Sequence, residues 1–139
     1  MKDTFDTLNL IFDKFITDEE LPGIIGITDI SDITQCDSRF RRSFADMTVM
    51  SFKETDTTVP FIDFSFVPSH SVTANYLVNK ETIEFNIYVS NLNQADEIYK
   101  AIKRILGRDD YQCTTACQAG CPVQGVLRYR FTAKTLVSS

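Results

Sequence analysis

The sequence predicts an α+β fold: an antiparallel or mixed β-sheet with an N-terminal helix and a second helix, at about residues 93–106, packed on it. Two segments have apolar residues at helical spacing, and three have the alternating apolar and polar residues of half-buried strands. The elements follow the order helix, weak strands, two strong strands, helix and final strand, without the regular strand–helix alternation of a parallel sheet. No repeat or linker interrupts the chain, so we expect a single domain over residues 1–139.

The first helix is predicted from an apolar stripe near the N-terminus. Its members recur at helical spacing and are Phe5, Leu8, Ile11, Phe12 and Phe15. Asp3 or Thr4 is placed to cap the helix, because short polar side chains accept hydrogen bonds from the first free backbone N–H groups. We expect the helix to end near Thr17, or to continue for one further turn until Pro22-Gly23 stops it.

Residues 23–58 have a weaker pattern. Short apolar patches, such as IIGI and MTVMSF, alternate with Asp, Ser and Thr. We expect one or two short strands in this region, with a long excursion between them.

Two strong strands follow Pro60. Apolar residues occupy alternate positions in FIDFSFV and ETIEFNIYVS, namely Ile62, Phe64 and Phe66, then Ile83, Phe85, Ile87 and Val89. Polar residues such as Asp63 and Asn86 lie between them, so each strand is expected to be buried on one face. The intervening PSHSVTANYLVNK is expected to form an extended hairpin arm or a loop.

The second helix is predicted from NLNQADEIYKAIKRILG. Its apolar stripe contains Ala95, Ile98, Tyr99, Ile102, Ile105 and Leu106. Asn93 is the expected N-cap, and Gly107 is the expected left-handed residue after the last turn. Because strands flank this wide stripe on both sides, we expect the helix to lie on the sheet.

The final strand is predicted from GVLRYRFTAKTLVSS. Its apolar positions are Leu127, Tyr129, Phe131 and Ala133, and its polar positions are Arg128, Arg130, Thr132 and Lys134. This alternation again indicates a strand with one buried face.

The net charge of −5 argues against a general binder of nucleic-acid backbones, because such binding needs clustered Lys and Arg. The apolar runs are too short for a helix that spans a bilayer. Acidic residues lie among the apolar ones at the N-terminus, unlike a secretory signal, so we expect synthesis and retention in the cytoplasm. Thiols stay reduced in that compartment.

Three of the four cysteines lie at intervals of four residues, in CTTACQAGCP. Cys113, Cys117 and Cys121 would share a face if this stretch were helical, but Gly120 and Pro122 crowd its end. Zinc needs four ligands, and the fourth candidate, Cys36, lies far upstream. We therefore expect a loop in which reduced cysteines act as small apolar side chains, with metal binding or redox chemistry as the alternatives.

No motif for catalysis or cofactor binding is present. The glycines match no phosphate-binding loop, and Asp29, Asp32 and Asp37 lack the spacing of a calcium loop. Asp18-Glu19-Glu20 is interpreted as a set of solvated charges at a helix end, and His70, the single histidine, as a surface residue. We predict no catalytic, cofactor-binding or metal-binding residues and no cofactor, and hence a protein that is not an enzyme.

The segment RFRRSF interleaves arginines with phenylalanines. Such a mixture is suited to stacking on single-stranded nucleic acid, and it is also typical of protein–protein interfaces. Since the chain is acidic overall, we favour a protein contact for Arg39, Arg41 and Arg42. The abundance of phenylalanine, with 11 residues, favours an assembly component in the same way.

Four segments together resemble the tail-completion, or tail terminator, proteins of long-tailed bacteriophages, which join the tail to the head. They are the N-terminal helix followed by LPGIIGI, the strand, arm and strand from FIDFSFV to ETIEFNIYVS, the helix QADEIYKAIKRILG, and the final strand GVLRYRFTAKTLV. The resemblance covers most of the chain. The cysteine-rich stretch and residues 28–58 lie outside it.

The resemblance implies a structural virion protein, made in the bacterial cytoplasm, that forms a homo-oligomeric ring, expected to be a hexamer. One face of the ring would cap the tail tube protein, and the other would receive the head-completion or connector protein. The genome would pass through the lumen without specific binding, and no membrane would be involved. We expect Pro68–Lys80 and Arg39–Thr58 to make the axial contacts.

Two other interpretations remain open. The chain could be another neck component, such as a stopper or adaptor protein. From a different class, it could be a small cytoplasmic domain that binds zinc through Cys113, Cys117, Cys121 and Cys36.

Overall fold

Helices cover one face of a mixed β-sheet in the computed structural model, which describes residues 4–43, 59–66, 82–121 and 123–135. The helices are α1 (Thr4–Thr17), α2 (Leu21–Ile25), α3 (Ile33–Arg39) and α4 (Leu92–Gly107). The strands are β1 (Phe40–Ser43), β2 (Phe61–Phe66), β3 (Thr82–Val89), β4 (Tyr111–Cys113), β5 (Cys117–Ala119) and β6 (Leu127–Thr135). The predicted α+β class, with α1 and α4 packed on the sheet, is confirmed.

The described strands follow the order β1-β2-β3-β6, and both β4 and β5 lie along the outer side of β6. Strands β1 and β2 are parallel, and every other pair is antiparallel. The sheet is therefore mixed, and among the described strands β1 lies at one edge and β4 and β5 lie at the other.

A row of phenylalanines crosses the helix-covered face of the sheet. Phe64, Phe85 and Phe131 are register partners on three neighbouring strands, and their ring centroids lie 5.3 and 5.0 Å apart. Phe15 of α1 packs against Phe64 at 5.5 Å, and Tyr99 of α4 packs edge-on against Phe131 at 4.9 Å. The aromatic residues predicted on separate elements thus form one continuous core.

The alternation of side chains predicted for the three long strands is confirmed, but the expectation that β2 and β3 are buried on one face only is wrong, because Phe61, Asp63, Asn86 and Tyr88 on the second face are buried too. Residues such as Ile62, Ile87 and Ala133 belong to the core under the helices. Asp63, Asn86 and their neighbours on β6 lie on the opposite face.

The strands β4 and β5 form one edge strand interrupted by a β-bulge. Cys113 pairs with Ala133 and Cys117 pairs with Arg130, so four chain steps on one strand face three on the other. The extra residue lies within 114–116, where the Thr114 N–H donates to the Thr132 carbonyl at 2.8 Å. The predicted loop is therefore wrong for Cys113 and residues 117–119, which pair with β6, whereas residues 114–116, 120 and 121 lie outside the strands.

The ends of α4 differ from the prediction. Asn91, not Asn93, is the N-cap, and its side chain accepts from the Gln94 N–H at 2.9 Å. Gly107 is the last helical residue rather than a left-handed terminator. The positive φ occurs at Asp110, with a value of 63°.

The region after α1 also differs from the prediction. Pro22 lies in the first turn of α2 instead of stopping a helix, because proline lacks only an N–H that is free in a first turn. Gly26 ends α2 in the left-handed conformation, with φ of 93°.

Residues 23–43 contain the end of α2, the helix α3 and one strand, β1, so the expectation of only strands and a long excursion is wrong there. Asp32 caps α3 by accepting from the backbone N–H groups of Thr34 and Gln35, at 3.0 and 3.3 Å. The predicted strand MTVMSF, the arm Pro68–Lys80 and His70 lie outside the described residues. No helix in the described ranges is long and apolar enough to cross a membrane.

Candidate functional site

The face of the sheet opposite the described helices carries a connected cluster of polar side chains. The alternation of β2, β3 and β6 directs their polar side chains to this face. They include Asp63, Glu84, Asn86, Arg128 and Arg130. Asp63, Asn86 and Arg130 are aligned across three strands by their register.

Asn86 is the centre of this cluster. Its side-chain amide donates to the carboxylate of Asp63 at 2.9 Å and to that of Glu84 at 3.1 Å. Its carbonyl oxygen accepts from Nε of Arg128 at 2.9 Å. Glu84 also pairs with Nε of Arg130 at 3.0 Å. The polar groups of three strands are thus joined to one another, which fixes their positions.

An aromatic stack adjoins the polar cluster. The rings of Phe61 and Tyr88 lie 4.6 Å apart and nearly parallel, and the guanidinium of Arg41 lies 3.7 Å from the centroid of Phe61. Burial raises the pKa of Tyr88, and the nearby Asp63 carboxylate raises it further. Tyr88 therefore stays a neutral phenol further into the alkaline range than an exposed tyrosine does.

The three arginines of RFRRSF contact other parts of the same chain. Arg39 donates to the Pro60 carbonyl at 2.8 Å, and Arg41 donates to the Ser38 carbonyl at 2.9 Å. Arg42 stacks on Phe12 at 3.9 Å and also bonds to Asn9 and Asp37. They join α1, α3 and the sheet, a role that sequence reasoning missed. Their predicted contact with another protein stays a prediction.

A cleft of about 480 Å³ lies between the end of α1 and the end of α4. Asp18 and Arg104 form its floor, and an ion pair between Lys14 and Asp109, at 2.6 Å, lies at its side. Hydrogen bonds from Arg104 hold the pKa of Asp18 well below its usual value, against the opposing effect of burial. The prediction that Asp18 is a solvated charge is wrong, because its side chain is buried and paired with Arg104. The two residues are 86 positions apart, so no local pattern indicates the pair.

The four cysteines are dispersed over the fold and all are free thiols. Cys113 packs against the core under the helices, whereas Cys121 packs against Phe61 and Tyr88 on the other face. Cys117 is exposed on the edge strand, and Cys36 is buried in α3. Burial raises the pKa of Cys36, as do the carboxylates around it. Burial also raises the pKa of Cys113.

The bulge explains why the cysteines do not converge. It places Cys113 opposite Ala133 and Cys117 opposite Arg130, which project to opposite faces of β6. Within the described ranges, no three His, Cys, Asp or Glu side chains are arranged to hold a metal ion.

The acidic residues 29, 32 and 37 are likewise engaged locally. Asp29 accepts from the backbone N–H and the hydroxyl of Ser31, at 3.0 and 2.6 Å, and the hydroxyl contact is the main cause of its lowered pKa. Asp32 caps α3, and Asp37 pairs with Arg42. The predicted role in a solvated turn fits Asp29, while the other two stabilise a helix start and an ion pair.

Comparison of the chain with protein-family models, with curated proteins and with solved structures finds no match. The resemblance to tail terminators therefore stays a prediction. The function must be argued from the architecture and the surfaces of this chain.

Proposed function

We propose that this chain is a structural virion protein that assembles with copies of itself into a ring in the neck of a long-tailed bacteriophage. Within that class, the particular role that we propose is that of the tail terminator. The ring would end the tail tube at its head-proximal side and join it to the head connector.

One observation carries the proposal. The segments that resemble tail terminators, in their described parts, form one helix-on-sheet core: α1, β2 with β3, α4 and β6. They share a single hydrophobic cluster, whose central members are Phe15, Phe85 and Phe131. The resemblance implies a sheet flanked by helices, and the described helices pack on one face of the sheet.

The charge supports the same proposal. A ring of copies that each carry a net charge of −5 would repel the phosphate backbone within about one Debye length, near 10 Å at 0.1 M salt. Genomic DNA would then slide through the lumen without adhering.

The expected axial contacts lie mainly outside the described residues. Of the segment Arg39–Thr58, the residues up to 43 are described, and Arg41 and Arg42 already bind within the chain. A test of these arginines by charge reversal therefore needs a parallel measurement of stability.

The assembly test uses the full chain and the tail-tube subunits of the same phage. Sedimentation velocity gives the mass of the chain with and without the subunits, and electron microscopy shows the position of any ring. We expect a ring at one end of each tube, and tubes that stop growing once it binds. Rings that bind filled heads but never tube ends would favour the stopper role, and absence of any ring under both conditions would refute the proposal.

The zinc-binding alternative is tested separately. Because the bulge directs Cys113 and Cys117 to opposite faces of the sheet, we expect no stoichiometric zinc in protein purified without chelator. Elemental analysis that finds about one zinc per chain would favour the alternative.

A further inference from the structure

The net negative charge of the chain is concentrated in one segment. Residues 15–38 contain six Asp or Glu and no Lys, Arg or His. The rest of the chain contains 14 Lys or Arg and 13 Asp or Glu, so its net charge is +1. The acidic segment includes the end of α1, all of α2 and most of α3.

Two large apolar side chains are exposed in this segment. Ile30 is 52% exposed and Ile33 is 72% exposed. The carbonyl of Ile30 accepts from Sγ of Cys36 at 3.4 Å, so the turn that carries Ile30 is fastened to α3, which begins at Ile33. The two isoleucines are therefore held close together, on α3 and on the turn before it.

Carboxylates flank these isoleucines. Asp29 and Asp32 precede them in the chain, and N–H groups of Ser31 and Thr34 donate to the two carboxylates and hold them in place. Among the described residues, neither carboxylate forms an ion pair with a lysine or an arginine. Both charges also act on the buried thiol of Cys36 and help to raise its pKa. The exposed apolar pair thus lies in a negative electrostatic field.

The arginines at the other end of α3 are engaged elsewhere. Arg39 donates to the Pro60 carbonyl at 2.8 Å, and Arg42 pairs with Asp37 and stacks on Phe12. These cations therefore serve the packing of α3 and β1, and they leave the carboxylates beside the isoleucines without a partner cation.

We infer that α3 and the turn before it bind a positively charged segment of a different protein, which seats an apolar side chain on Ile30 and Ile33. Exposed apolar residues with a polar rim are typical of protein contact sites. A cationic segment complements the two carboxylates, and such complementarity speeds encounter and selects the partner. A second copy of this chain does not supply that charge, because outside residues 15–38 it carries only +1. The inference does not rest on the proposed function, since it concerns a surface of the single chain.

The probe is a fluorescein-labelled peptide of alternating lysine and leucine, and its control has glutamate in place of lysine. Fluorescence anisotropy with the full chain should show that the lysine peptide binds, that added salt weakens its binding and that the glutamate peptide does not bind. In heteronuclear NMR spectra of the wild type, the amide signals that the lysine peptide shifts should be centred on residues 28–37.

Matched substitutions separate this surface from the overall charge. Ile33→Ser should weaken binding of the lysine peptide about tenfold, whereas Leu92→Ser, at an apolar residue of α4 that is 62% exposed, should leave it unchanged. Asp29→Asn should also weaken binding, and Asp96→Asn, the same change of charge on α4, should weaken it less. Urea unfolding of the four variants establishes that they fold.

Four results would overturn the inference: equal binding of the lysine peptide to Ile33→Ser and to the wild type, comparable binding of the glutamate peptide, no binding of either peptide, or shifted signals centred outside residues 28–37. The NMR measurement uses the wild type, so it decides the question even where a variant fails to fold.

Discussion

Asp18 and Arg104 form a bidentate ion pair that joins the start of α2 to the last turns of α4. The two oxygens of Asp18 lie 2.9 and 2.8 Å from the terminal nitrogens of Arg104. The Asp18 side chain is 5% exposed and that of Arg104 is 35% exposed. The same carboxylate accepts from the backbone N–H groups of Glu20 and Leu21, both at 3.0 Å. One side chain therefore determines where α2 begins and how α4 is held beside it.

Asp18→Asn should lower the free energy of unfolding by about 2–3 kcal/mol, because a charge-assisted pair and two N–H contacts are weakened at a buried position. Urea unfolding monitored by circular dichroism measures the change. Asp109→Asn is the matched control, since its pair with Lys14 is more exposed, and it should cost less than about 1 kcal/mol. Equal losses in the two variants would contradict the assigned role of Asp18.

The stability contributed by Asp18 should decrease as the pH is lowered. Its pKa is lowered in the folded protein from the usual 3.8, so the stabilisation is complete above pH 3.8 and is lost as pH falls through the folded pKa. The difference in unfolding free energy between the wild type and Asp18→Asn should accordingly shrink at acidic pH. A difference that stays constant from neutral pH to well below 3.8 would contradict this assignment.

Asn86→Asp should destabilise the protein by about 1–3 kcal/mol at neutral pH. It replaces an amide that donates to Asp63 and Glu84 with a carboxylate that cannot donate to them. Arg128 still faces one oxygen of the new carboxylate, but the two neighbouring carboxylates repel it, and we expect their repulsion to raise its pKa. The penalty should therefore fall as pH is lowered and the new carboxyl becomes protonated. Urea unfolding at two pH values tests this. The control is the exposed Asn93→Asp, which should not destabilise the protein at neutral pH, because a carboxylate in the first turn of α4 interacts favourably with the helix dipole.

The thiols should react in the order of their exposure. Cys117 is exposed, whereas Cys36 is 1% exposed and has a raised pKa. In dilute folded protein we expect iodoacetamide to modify Cys117 first, Cys113 and Cys121 more slowly, and Cys36 only after unfolding. Peptide mass spectrometry at successive times measures these rates. Modification of Cys36 at the same rate as Cys117 would show that the Cys36 thiol is not buried in the folded protein.

Much of the fold could be predicted from the sequence because its signals are local. Alternation within β3 assigned Ile83, Phe85 and Ile87 to one face without knowledge of any partner strand. The stripe of α4 was equally visible. The first residue of α4 could not be predicted in this way, because Leu92 is 62% exposed and does not belong to the apolar stripe.

The remaining features depend on contacts that the sequence pattern does not contain. The helix α3 buries a single residue, Cys36, and therefore has no apolar period. The partner of Asp18 is distant in sequence, and Arg42 stacks on Phe12 from another element. Cys113 and Cys117 project to opposite faces of the sheet, and this can be recognised only from their pairing with β6.

The bulge in the edge strand has a consequence for the tolerated length of the chain. Three residues of the edge strand, 114–116, lie opposite only two residues of β6. One of the three is therefore an extra residue that the pairing of β4 and β5 with β6 does not use. Thr114 and Thr115 are both exposed, but Thr114 binds Thr132 through its backbone and its hydroxyl. Deletion of Thr115 would leave both pairings with β6 in register, so we expect the fold to lose this residue without rearranging its core.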